Sequence, residues 1–427
     1  MSALSTPRLA AYGVLGMPLA MAALPIYVHV PKFYAETVGL SLASIGGLLL
    51  AARALDAVQD PLLGWWSDRR RGRAGGRWVF VAAGAPLLAV GMVGLFMPPA
   101  WDATALTLWL VANLVVVYTA YSLVTVSYQA HGAEMSTDPR ERTRVTAWRE
   151  GFALAGVFVA AVLPEVLRRV SGERAAFAQF ALLFVPVVLM AAATTILGSP
   201  RAAGRIGPAP TFASMALPLR NRRFRALALA FLLNGTAAAI PATLVLFYIA
   251  DVIRRPQEAA MFLVTYFAAG ALGLPGWVWL ARRAGKARAW LAGMVLSMVA
   301  FVWAFLLGEG DTAAFLAICA MSGLGLGADL ALPPSMLADV IDDDEASGQG
   351  RHEGAYFGLW NLMTKLNLAL AAGVALPLLA GLGYRPGAPT QDAALALAGV
   401  YALLPCALKA AAAAALSLGS LQKGDSP

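Results

Sequence analysis

Charge is scarce in this 427-residue chain: Asp, Glu, Lys and Arg together make up 13% of it, about half the share usual in soluble domains. Histidine is nearly absent. His29, His131 and His352 are too scattered for metal-ligand spacing. Cysteine is limited to Cys319 and Cys406, each inside an apolar run. They read as small buried hydrophobes, which excludes a disulfide framework. No GxSxG elbow or Ser-His-Asp arrangement occurs, and no nucleophile converges with an acid–base set. Gly323, Gly325 and Gly327 lack the preceding strand of a nucleotide loop and sit in an apolar run, where they read as close helix packing. An enzyme is not expected, nor an organic cofactor. The first apolar stretch has no basic run before it and no small-residue cleavage site after it, so it reads as a span rather than a cleavable signal.

What the chain does have is apolar surface. Hydrophobic residues make up 59% and mean hydropathy is +0.69, so lipid is the expected solvent for most of it. A span needs roughly 20 apolar residues. Apolar runs stand at 9–31, 41–66, 78–98, 104–130, 150–167, 175–197, 225–250, 257–281, 289–307, 312–336, 354–383 and 391–419. They are long and continuous rather than alternating, so they predict helices, not barrel strands. The fifth run is the shortest, cut by Pro164 and Glu165. The expected fold class is an all-α membrane protein with 12 transmembrane helices.

The formal charge of +8 is explained by loops rather than by nucleic-acid binding. Alternate loops, with Arg8, Arg351 and Lys423, collect 22 basic residues on one side, against seven on the other: Lys32, Arg168, Arg169, Arg174, Arg254, Arg255 and Arg385. The positive-inside rule then places both termini in the cytoplasm. The polar stretch 198–224 reads as a cytoplasmic linker between an N-terminal half, 1–197, and a C-terminal half, 225–427. The halves echo each other weakly. Ala133-Glu134-Met135 answers to Ala338-Asp339-Val340, and Arg149-Glu150-Gly151 to His352-Glu353-Gly354. Two parallel six-helix repeats describe the major facilitator architecture, with its site near mid-membrane.

Ionisable residues within spans are costly, about 2.5–3.5 kcal/mol each at the centre, and face a cavity or a partner. Arg53, Asp56 and Asp60 recur at spacings of three and four, which places them on one helix face. Two carboxylates a turn apart repel unless a cation or proton neutralises them, and Arg53 offsets one charge at most. The trio reads either as a monovalent-cation site, Na⁺ included, or as an internal Arg–Asp bridge that fixes the helix. Pro61 removes a backbone donor beside Asp60. Lys365 in the eleventh run is a charge-balancing partner for the carboxylates, or a lysine snorkelling from a helix end. Asp329 is a further candidate, as a substrate contact. Tyr27, Tyr34, Tyr121, Tyr128, Gln129, Asn234, Trp360 and Asn361 are substrate-contact candidates, each also readable as packing or an interfacial anchor.

Several strings carry a resemblance. They are Gly39-Leu40-Ser41, the run from Asp56-Ala57-Val58-Gln59-Asp60-Pro61 to Gly64-Trp65, Asp138-Pro139-Arg140-Glu141-Arg142, and Ala338-Asp339-Val340-Ile341-Asp342 followed by Arg351, Glu353, Gly354 and Lys365. Through nearly its whole length the chain resembles the glycoside–pentoside–hexuronide:cation symporter family (melibiose permease-like). The resemblance implies Na⁺-, Li⁺- or H⁺-coupled uptake by alternating access, with the cation on Asp56 and Asp60 and with Lys365 nearby. It implies a cytoplasmic gate formed by Asp68 and Arg149 with Asp339, Arg351 and Glu353. Two positions depart from it. The sugar-binding aspartate of the first span falls at Ala20, and a third cation-site carboxylate falls near Thr125, whose hydroxyl is then the expected ligand.

The expected function is a cation-coupled secondary transporter of the inner membrane, working as a monomer on a glycoside-like or other small polar solute. A carrier of an amphiphile such as a lysophospholipid, and a non-transporting assembly factor or sensor on the same scaffold, are the alternatives.

Overall fold

The structure, a computed structural model, describes residues 5–69, 76–136, 139–199, 218–346, 353–387 and 389–418. The described residues are helical with short turns, and no strand occurs among them. Among the described residues, twelve helices are long and apolar enough to cross a membrane. They are α1 Thr6–Thr37, α2 Leu42–Gly64, α3 Trp78–Phe96, α4 Ala103–Gly132, α5 Arg144–Ser171, α6 Glu173–Gly198, α7 Arg222–Asp251, α8 Pro256–Ala284, α9 Lys286–Leu306, α10 Thr312–Asp344, α11 Tyr356–Gly381 and α12 Gln391–Leu418. Most of the linker read from the sequence, 200–217, lies outside the described residues.

Local chemistry sets the helix ends. The Asn221 side chain accepts from the backbone N–H groups of Arg223 and Phe224 at 2.9 and 3.3 Å, capping the start of α7. Asp102 and Thr390 cap α4 and α12 in the same manner. Gly172 and Gly285 join α5 to α6 and α8 to α9 at φ of 78° and 89°. Only glycine takes that conformation without strain, and it turns the chain within one residue. The fifth span is longer than the sequence pattern indicates. Pro164 is accommodated inside the helix, and Glu165 is neutralised by Arg168 at 2.9 Å and Arg169 at 3.4 Å. The apparent break is therefore an ion-paired last turn.

The chain forms two compact units, residues 1–40 with 51–209, and residues 41–50 with 210–427. In the first unit, α1 lies directly against α5, where a Cβ at Gly16 would stand 2.6 Å from the Arg149 carbonyl. It also lies against α4, where Tyr12 and Tyr128 exchange hydroxyl-to-carbonyl bonds of 3.2 and 2.9 Å. In the second unit, α10 packs on α8 and α9, and Phe224, Leu227, Trp290, Met294, Leu332, Leu337 and Tyr356 lie within one buried core.

Candidate functional site

The helix that carries the carboxylates runs unbroken from Leu42 to Arg69, through Pro61. Asp56 is 1% exposed, and Asp60 is half-buried one turn further on. The Ser122 hydroxyl on α4 donates to Asp56 Oδ1 at 2.5 Å. Arg53 Nη1 stands 3.6 Å from Asp56 Oδ2, longer than the roughly 2.7–2.9 Å of a close charge-assisted hydrogen bond. Its guanidinium lies over the Tyr118 ring, 4.3 Å from the centroid, a cation–π contact that shares its charge with α4. Between the two carboxylates, Gln59 Oε1 accepts from the Thr119 hydroxyl at 2.8 Å. The α2 face is thus lined with oxygen and bound to α4 at Thr119 and Ser122. Oxygen-only donors of this kind suit a hard monovalent cation or a proton rather than a soft metal. Among the described residues no group of three His, Cys, Asp or Glu is arranged to hold a metal.

Thr125, the expected hydroxyl ligand, lines the neighbouring cavity, and its hydroxyl donates to the Tyr121 carbonyl at 2.8 Å. The α4 hydroxyl that meets Asp56 is Ser122, one turn earlier. Sequence reasoning passed over Ser122. A signal was available, because Thr119, Ser122, Thr125 and Gln129 form a polar stripe at helical spacing along an otherwise apolar span.

A cavity of about 210 Å³ opens between α1, α4 and α5 in the first unit. Leu19, Ala20, Ala23 and Leu24 make its apolar side, whereas Tyr27, Tyr121, Gln129, Arg149 and Glu150 give it a polar side. Ala20, the position of the departed sugar-binding aspartate, is part of the wall. Arg149 is also part of it, and donates to Glu150 at 2.6 and 3.0 Å. Of the substrate candidates from the first half, Tyr27, Tyr121, Tyr128 and Gln129 come together here.

The C-terminal candidates are spread out. Trp360 is buried and stacked on Phe231, with centroids 3.8 Å apart, while Asn361 is exposed and Lys365 half-buried, both on α11. Asp329 is enclosed by Asn234, Trp290 and Lys409 at 2.8–2.9 Å. Of the gate residues, Asp339 is held by Lys286 at 2.6 Å, from α9 to α10. Arg351 and the side chains of Asp68 and Glu353 lie outside the described residues.

Twelve apolar helices with ionisable side chains facing one another inside them define a multi-pass membrane transporter of the major facilitator class. The solved structure of a bacterial homologue of the human lysosomal transporter Spinster has this fold, with a TM-score of 0.71 at 15% identity, covering 97% of this chain and 96% of that one. Within the class, the chain belongs to the glycoside–pentoside–hexuronide:cation symporter family, and the model of the MFS/sugar transport proteins matches residues 9–423. The inner membrane symporter YicJ of Escherichia coli is 24% identical, over 86% of this chain and 81% of its own length. The mouse sphingosine-1-phosphate transporter MFSD2B is also 24% identical, over 89% and 82%.

Proposed function

We propose that the protein is a symporter of the inner membrane, with both termini cytoplasmic, that couples Na⁺ or H⁺ to uptake of a glycoside-like solute by alternating access. The observation that carries the coupling is the pair of carboxylates on α2. Asp56 and Asp60 stand a turn apart on a largely buried face, with Arg53 of the same helix 3.6 Å from Asp56. Carboxylates so placed repel, and a monovalent cation or a proton that joins them relieves the repulsion. A face that favours its loaded state ties the ion to the transport cycle. Asp56 and Asp60 hold the ion, Ser122 orients Asp56, and Arg53 offsets part of their charge. The cavity with Tyr27, Tyr121, Gln129 and Arg149 takes the solute, in keeping with the symporter relatives.

The test is uptake in proteoliposomes from a panel of glycosides and hexuronides under an imposed Na⁺ or pH gradient. Asp60→Asn is expected to abolish gradient-driven uptake while the protein reaches the membrane at wild-type level. Unchanged ion dependence in that variant rejects the assignment.

A second reading is favoured by the apolar wall of Leu19, Ala20, Ala23 and Leu24. That wall suits the chain of an amphiphile such as a lysophospholipid, in line with the MFSD2B relative. Competition of lysolipids against the best panel solute separates the two: an amphiphile carrier is blocked by a long acyl chain, a sugar carrier by free sugar.

A further inference from the structure

Asp329 is the carboxylate that the ion site does not use, and its surroundings assign it a role. Its Oδ1 accepts from Asn234 Nδ2 at 2.9 Å and from the Trp290 indole N–H at 2.8 Å. Its Oδ2 accepts from Lys409 Nζ at 2.8 Å. The same ammonium donates to Asn234 Oδ1 at 2.7 Å. Asn234 therefore offers its donor to the carboxylate and its acceptor to the lysine, which closes a ring of three side chains. With Trp290, the four residues come one each from α7, α9, α10 and α12. Trp290, Asn234 and Lys409 are 0, 2 and 8% exposed. Close helix contact brings them within reach: a Cβ at Gly293, one turn beyond Trp290, would stand 2.5 Å from the Cβ of Ala328, the neighbour of Asp329.

We propose that Lys409 is a resident counter-ion for Asp329, and that with Asn234 and Trp290 the pair forms a closed clamp that pins α10 to α7, α9 and α12. The clamp keeps this carboxylate out of ion and substrate handling. Both oxygens of Asp329 are engaged, and the net charge of the pair is zero without any mobile ion. The clamp also has a second level. Ten residues along α10, Asp339 meets Lys286 on α9, and further on Asp343 and Asp344 meet Arg223 and Asn221 near the start of α7. Pinned at both levels, α10 presents its acidic end at a fixed rotation. Asp329 and Lys409 are accordingly positioning residues. Removing one partner of a buried pair strands the other charge, whereas replacing both with groups of similar volume is tolerated.

The test is a double-mutant cycle on the purified full-length protein in detergent, read by thermal unfolding. Asp329→Asn and Lys409→Met are each expected to lower the melting temperature by roughly 5 °C. Asp329→Asn with Lys409→Met is expected to recover most of that loss, and Lys409→Arg to stay between the singles and wild type. The second readout is the shift in melting temperature on replacing choline chloride with NaCl, or on lowering the pH. It is expected to match wild type in the double variant. Additive losses overturn the clamp, as does a stable double variant that has lost an ion response the wild type shows. A wild type without any ion response counts against the proposed coupling instead, and the stability cycle alone then decides the clamp.

Discussion

Asp56 on α2 and Asp329 on α10 are carboxylates sunk in apolar helices, and they are neutralised in opposite ways. Asp329 meets an ammonium at 2.8 Å and two further N–H donors. Asp56 meets a hydroxyl at 2.5 Å and the arginine of its own helix at 3.6 Å, with a second carboxylate a turn away. The C-terminal carboxylate is complete as it stands. The N-terminal site sets two carboxylates against one arginine on the same helix. Burial of a charge does not by itself distinguish a working site from a structural one. The balance of charge within the first few ångströms does.

The largest expected effect comes from removing that difference. Neutralising Asp56 to Asn is expected to cut ion-driven uptake by about a hundredfold or more, since each pKa-sized loss of 1.4 kcal/mol in ion binding is tenfold. Its effect on stability has the opposite sign to that at Asp329. In ion-free buffer, Asp56→Asn relieves repulsion between carboxylates a turn apart and leaves the melting temperature unchanged or higher. Lys409→Met leaves Asp329 stranded and costs about 3–5 kcal/mol. Thermal unfolding of the two variants in choline chloride checks the contrast. A large loss of stability in Asp56→Asn would make α2 a structural bridge like the one on α10.

These two carboxylates are not equally legible in the sequence. The twelve spans can be read from the chain because lipid leaves no alternative to long apolar helices. Arg53, Asp56 and Asp60 can be read because i, i+3 and i+4 spacing places them on one face whatever surrounds the helix. The ring around Asp329 obeys no such rule. Asp329 and Lys409 are 80 residues apart, and Lys409 and Asn234 are 175 apart. Each stands alone in its own span, so packing rather than spacing brings them together. Lys409 consequently carries no signal in the sequence, and Asp329 reads there as a substrate contact. Arg149 illustrates the same limit: its string suggested a gate, but only the approach of α1 to α5 reveals that it lines a cavity.

The next effect in size concerns Ser122, whose bond to Asp56 crosses from α4 to α2. A hydrogen bond to a charged group contributes about 1.5–3 kcal/mol. The same hydroxyl also lends its lone pairs to a cation beside the carboxylate. Ser122→Ala is therefore expected to raise the half-saturating ion concentration roughly tenfold, with little change in maximal uptake at saturating ion. Uptake against ion concentration measures it. A variant that loses maximal rate but keeps its ion affinity would show that Ser122 supports the helix pair and not the ion.

The smallest effect is expected one turn further along α4, and it separates geometry from resemblance. Alignment with the family puts Thr125 where a third carboxylate coordinates the ion, but its hydroxyl proton is committed to the Tyr121 carbonyl on its own helix. Bonds of this i−4 kind lie along the helix and contribute little to its stability. Thr125→Val keeps the branched shape and removes only the oxygen. If the cavity wall is its principal role, the ion curve moves by less than about threefold, within 0.6 kcal/mol. The change then falls on the half-saturating concentration of the solute, whose cavity Thr125 lines with Tyr27 and Tyr121. A tenfold shift in ion affinity with unchanged solute affinity would instead place the threonine oxygen on the ion, and would move the site from the Asp56–Ser122 contact toward the cavity.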